Sequence, residues 1–187
     1  MSVISNTCGL TRNRTKATSC QYTLNKVVKI YLANVADIDA IATTSESGCG
    51  EEVSAITLAS SAKWAMVDPS TDSASFTDAL NVADNDVRYR THSLSFSISG
   101  DYDGAAVCDL NGLSLGEFVA VAVLASGNAV MLGTENVGLR ATTATLQGSA
   151  TSTDFSGIQV EMSADTTVAA LPVSKAALDA IKGNIYA

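Results

Sequence analysis

The stretch Thr91-His92-Ser93-Leu94-Ser95-Phe96-Ser97-Ile98-Ser99 alternates strictly between a serine or threonine and a larger side chain. Successive side chains of a β-strand point to opposite faces, so Leu94, Phe96 and Ile98 make one apolar face and the serines make the other. A helix would scatter the same residues around its circumference. The chain is therefore read as mainly β. Upstream the pattern inverts, because Val87 and Tyr89 fall on odd numbers while Arg88, Arg90 and His92 fall on even ones. Two explanations stay open. A bulge can turn the strand over, or the strand can leave its own domain and continue against a neighbour. At ~3.3 Å per residue, Val87–Ser99 spans roughly 40 Å, which leans toward the second.

Other segments read outward from this strand. Val28, Ile30 and Leu32 alternate with Lys29 and Tyr31, another strand signature. Thr44–Glu52, with Gly48-Cys49-Gly50, reads as a loop, and Val53–Val67 as one or two strands with Trp64 and Met66 on one face. Asp68–Asp86 is an acidic, Ser/Thr-rich excursion with an expected helical turn near Phe76–Leu80. Glu117–Leu124 and Asn128–Gly133 read as a hairpin about Ser126-Gly127-Asn128. Its first strand is apolar on both faces, so Phe118, Val119, Val121 and Val123 are expected to bury against both the core and a partner. Leu139–Gln147 and Gly157–Ser163 form a further strand pair, and Thr167–Val173 is a last extended piece. Ser174–Gly183 is a short helix with a serine cap and a glycine stop.

With 187 residues, 47% of them hydrophobic, the chain can bury one core. Charged residues make up only 16%, against about 25% in an ordinary soluble domain. A surface with so few charges repels its neighbours weakly and suits assembly. The net charge of −8 conceals an asymmetry. Arg12, Arg14, Lys16, Lys26 and Lys29 precede the first acid, Asp37, whereas the rest of the chain sets six basic residues against nineteen acids. Residues 1–25 are read as an extended basic N-terminal arm and 26–187 as the β domain. Arg12, Arg14 and Lys16 on the arm can dock on the acidic body of another copy; a solvated basic tail is the alternative. An acidic body argues against nucleic-acid binding as the main task, since phosphate recognition needs clustered Lys and Arg.

The N-terminus has no basic region followed by an apolar run, so no signal peptide is read there. The most apolar stretch, Phe118–Leu132, is interrupted and shorter than the ~20 residues of a membrane span. The expectation is a protein made in a cytoplasm, with no membrane partner. Cys8, Cys20, Cys49 and Cys108 match no zinc spacing and are expected as free thiols, a Cys8–Cys20 bridge being the alternative.

Candidate chemistry is thin. Gly112-Leu113-Ser114-Leu115-Gly116 matches the G-x-S-x-G string, but that nucleophile elbow needs a strand before it, a helix after it and a later histidine. Here the only histidine, His92, lies upstream. Asp101-Tyr102-Asp103-Gly104 starts like a calcium loop, yet the twelfth position is Gly112 where a glutamate is needed; a tight turn is expected instead. No phosphate loop or dinucleotide fingerprint is present. The chain is read as a non-enzyme with no catalytic residue, metal or cofactor.

From Leu110 onward, the order "LNGLSLGEFVAVAVLASGNAVMLGTENVGLRATTATLQGSATSTDFSGIQVEMSADTTVAALPV" resembles tail structural proteins of phages and prophages of Bacteroides-type bacteria. The opening "CQYTLNKVVKIYLANVADI" is similar to their first strand, so the likeness covers roughly residues 20–173. The Cys8–Cys20 arm has no counterpart in that pattern. The resemblance implies a tail tube protein: a single-domain antiparallel β-sandwich or barrel with a short flanking helix, joined edge to edge into rings, typically hexameric, that stack into a hollow tube. It implies contacts with copies of itself and other tail proteins, and passage of DNA along an acidic lumen within the virion. Arg88 and Arg90 are expected near a subunit boundary. The rival readings are a tail terminator, a decoration protein, the tube of a contractile injection system, or a β-sandwich adhesin or carbohydrate-binding module.

Overall fold

A computed structural model describes residues 25–46, 50–84, 86–100, 103–148 and 155–186. Its strands are Val27–Asn34 (β1), Ile38–Glu46 (β2), Gly50–Leu58 (β3), Ala65–Val67 (β4), Ser75–Val82 (β5), Arg88–Ser99 (β6), Glu117–Leu124 (β7), Ala129–Leu132 (β8), Leu139–Gln147 (β9), Gly157–Thr166 (β10) and Leu171–Val173 (β11). The helices are Gly104–Leu115 (α1) and Lys175–Lys182 (α2). The chain is mainly β, as its alternation implies. Neither helix is long and apolar enough to cross a membrane.

The strands join in one sheet in the order β2-β3-β11-β8-β7-β9-β10-β6-β5, with β1 on β7 and β4 on β1. Only β11 and β3 run parallel; the other pairs are antiparallel. β7 and β9 share just Glu117–Arg140 and Phe118–Leu139. At that narrow corner the sheet folds back, so that Ile30, Leu32, Ala120, Ala122 and Leu132 pack against Leu94, Phe96, Val160 and Met162. This is the core of a sandwich whose two leaves belong to one sheet.

A second core lies on the other side of β7. Val119, Val121 and Val123 pack with Tyr31, Trp64 and Met131, and α2 covers them with Ala177, Leu178 and Ile181. The Ser174 hydroxyl caps α2 by accepting from the Ala177 N–H at 3.2 Å, and Gly183 ends it. β7 is apolar on both faces because its own chain buries both. This corrects the expectation that a partner covers one side.

Four further expectations change. β2 and β3 take up 44–46 and 50–52 of the expected loop as a ladder with Glu46 opposite Gly50, and residues 47–49 lie outside the described residues. Phe76–Leu80 is part of β5 and not a helical turn, paired in register along β6. Asp101 and Tyr102 lie outside the described residues, while Asp103 caps α1 by accepting from the Ala106 N–H at 2.8 Å. That helix was hidden because Gly104, Asn111, Gly112 and Ser114 are poor helix formers, and only Leu113 is buried. Trp64 is buried, with its backbone bridged to Ile185, whereas Met66 is exposed, so the two do not share a buried face.

The inverted pattern in β6 has a different cause from either expected one. Its ladders to β5 and β10 run without a register shift within β6, so no bulge turns the strand over. The even face points inward from Phe96 through Leu94 to His92, which is 1% exposed. Polar residues occupy the far end of that inner face because they satisfy one another there.

Candidate assembly surfaces

Asp78 on β5 lies directly opposite His92 on β6. Its carboxylate accepts from Arg90 Nε at 2.6 Å and from the Ala170 N–H at 3.0 Å. Burial on its own raises the Asp78 carboxyl, but these two hydrogen bonds outweigh it and hold the group below the usual carboxylate range. His92 Nδ1 accepts from the Gly133 N–H at 3.0 Å, which leaves the ring proton on Nε2. Nε2 faces Thr166 Oγ1 at 3.4 Å, and that hydroxyl donates onward to the Val168 carbonyl at 2.7 Å. Burial pushes the His92 imidazole below its ordinary value, with the Asp78 carboxylate opposing in part. The ring is thus held neutral. Four segments (β5, β6, the end of β8 and the β10–β11 link) meet on this one network.

Above it lies a groove of about 500 Å³. Gly133 and Thr166, both bonded to His92, form part of its lining. Ile41, Met131 and Leu171 contribute apolar wall, and Glu51, Glu135 and Asp165 contribute acid; among the described residues no Lys or Arg lines it. All three acids are exposed, and none makes an ion pair among the described residues.

The sheet ends are open. Among the described residues β2 pairs only with β3, β5 only with β6, and the three-residue β4 only with β1. Near the outer end of the β5–β6 hairpin Leu80, Val82 and Val87 are 58%, 57% and 53% exposed. Arg88 sits opposite Val82 and is exposed as well. The two edges are chemically unlike. β2 is rich in Thr and Ala, whereas β5 carries the exposed Leu80 and Val82.

The expected interface residues separate into three groups. Val119, Val121 and Val123 are in the second core and Phe118 is half-buried at the corner, so these four hold the chain together. Arg88 is exposed at the start of β6, opposite Val82 of the edge strand β5, while Arg90 is tied to Asp78. Arg12, Arg14 and Lys16 lie outside the described residues, as do Cys8, Cys20 and Cys49; Cys108 is an exposed free thiol on α1. Ser114 of the G-x-S-x-G string ends a helix and bonds the Leu110 carbonyl at 2.6 Å, and the only histidine is bound into the network above. Asp78, Gly133 and Thr166 were missed. One signal pointed to them: His92 shares the even face of Leu94 and Phe96, and a histidine on a buried face needs partners.

No family model, curated protein or solved structure matches this chain.

Proposed function

We propose that this protein is a virion structural subunit that polymerises into stacked rings forming a phage tail tube, and that it acts by assembling and not by catalysis. The observation that supports this best is a sheet whose long terminal strands, β2 and β5, are open and unlike, the three-residue β4 being a further, short free edge. An open edge presents unpaired N–H and C=O groups that seek another strand. Unlike edges favour head-to-tail contacts, which close into rings or run on as filaments. Leu80, Val82 and Val87 add an apolar patch beside one edge, where association would remove them from water. The low charge content and the acidic body support the same reading, because DNA would slide past an acidic lumen without sticking. The ring is six-membered if it follows the family that the sequence resembles. Such a subunit is made in the host cytoplasm and resides in the tail, beside other tail proteins.

Negative-stain electron microscopy of the purified chain, with sizing chromatography across a concentration series, tests the reading. Rings or hollow tubes are expected. Leu80→Lys combined with Val82→Lys should abolish them while leaving thermal unfolding nearly unchanged, since exposed substitutions shift stability by only about 0.5 kcal/mol. A monomer at every concentration overturns the proposal.

A further inference from the structure

The groove over the His92 network has an acidic rim and no Lys or Arg among its described lining residues, and at about 500 Å³ it is large enough to hold part of an extended peptide segment. The same chain carries a segment of the opposite charge. The twenty-four residues before Asn25 contain Arg12, Arg14 and Lys16 and no acid. These three cations are spaced by two, so in an extended conformation they project to one side, about 7 Å apart. We infer that the groove formed by the β2–β3 hairpin, the 134–137 loop and the 165–169 segment receives the basic N-terminal arm of a second copy of this chain.

The sheet fixes the direction of that contact. The described chain starts beside the β7–β8 turn, where the Lys26 carbonyl accepts from the Ala125 N–H and Val27 lies opposite Leu124. The groove is at the other end of these strands. Asn34 lies opposite Phe118 there, Leu132 opposite Ala120, and the 134–137 loop follows β8. The exit and the groove are therefore separated by the length of β1, roughly 25 Å at the usual strand rise. An arm that leaves one end of a subunit and docks at the opposite end of the next defines a head-to-tail axial contact. Twenty-four residues reach at most about 80 Å when extended, enough to cross a subunit boundary and still fill the groove. Glu51 and Glu135 meet the arm as unpaired carboxylates. Asp165 already accepts from the Thr91 hydroxyl at 2.6 Å and serves as a third, weaker acceptor. The inference rests on the self-assembly reading; the groove borders the β2 edge through Ile41 and Thr43, but its acidic wall from the 134–137 loop and Asp165 is not part of a sheet edge.

Carbodiimide coupling joins a lysine amine to a carboxylate only when the two touch, so it reads this contact directly. Full-length chain labelled with ¹⁵N is mixed with an equal amount of unlabelled chain, coupled and digested. Lys16 should appear linked to Glu51, Glu135 or Asp165 in peptides of mixed isotope. Glu51→Lys with Glu135→Lys should lower that yield about tenfold or more, the effect of opposing several exposed charge pairs at once. Adding Arg12→Glu, Arg14→Glu and Lys16→Glu to that variant should restore coupling with the polarity reversed. Both glutamates are exposed, so unfolding curves of these variants should match the parent. Coupling confined to same-isotope peptides would mean that the arm folds onto its own chain, and would overturn the inference. So would Lys16 coupling only to carboxylates elsewhere. Micrographs of the same samples separate the two claims: rings without Lys16–groove peptides refute the arm contact alone, and mixed-isotope peptides without rings refute the ring alone.

Discussion

Replacing His92 with leucine tests the buried network and its sign with pH. The substitution removes the acceptor of the Gly133 N–H, which is at 3.0 Å in a buried position. The Thr166 hydroxyl keeps its partner at the Val168 carbonyl, and Asp78 keeps Arg90 and the Ala170 N–H. One orphaned buried N–H costs about 1–3 kcal/mol. For a domain of this size that corresponds to a fall in Tm of roughly 4–8 °C for about 2 kcal/mol. The imidazole is held below its ordinary value in the folded state, so the unfolded chain takes up the proton first as pH falls. Its contribution is fully present above about pH 6.5, the unfolded value, and declines below it at up to about 1.4 kcal/mol per pH unit until the folded group itself protonates. The leucine variant lacks this term. The stability gap between parent and variant should therefore be largest at pH 7.5 and shrink at pH 5.5, measured by urea unfolding at both. His92→Asn, whose side-chain oxygen can take the place of Nδ1, should recover part of the loss and show no dependence in that window. A leucine variant as stable as the parent at pH 7.5, or a gap that does not change with pH, would refute the role given to His92.

Val121 is fully buried between β1, β8 and α2, so Val121→Asp should cost more than about 4 kcal/mol and yield unfolded or insoluble protein, read by circular dichroism. A folded monomer that merely fails to assemble would return this side chain to the interface. Gly157 has φ +147°, and a Cβ there would fall on the Ile98 carbonyl oxygen. Gly157→Ala should thus destabilise by about 2 kcal/mol or more in urea unfolding, and an unchanged midpoint would contradict the tight β10–β6 pairing. Ser174→Ala removes the cap of the helix that covers the second core and should cost about 1 kcal/mol, whereas Ser174→Asp should leave unfolding nearly unchanged.

Much of the fold was legible because strand alternation is local. Leu94, Phe96 and Ile98 need no tertiary information to declare a strand with one apolar face, and the run Phe118–Val123 declares a strand buried on both. Ser174 and Gly183 bracket α2 by capping chemistry that acts over one turn. What lies across from a strand is not local. The sequence could not say that α2 and Trp64 cover the odd face of β7, and it therefore left that face for a partner. It could not say that Asp78 lies opposite His92, since that pairing depends on the register of β5 on β6, and a carboxylate inside a strand pattern reads as a break. It showed a basic arm and an acidic body, both sums over residues. Which acids gather into a groove, and at which end of the sheet, was decided only when the sheet folded back at the narrow β7–β9 corner and brought Glu51 of β3, Glu135 of the β8–β9 loop and Asp165 of β10 to one place. Periodicity and capping act between neighbours in the chain and can be read from it. Register, coverage and the meeting of distant charges are properties of packing.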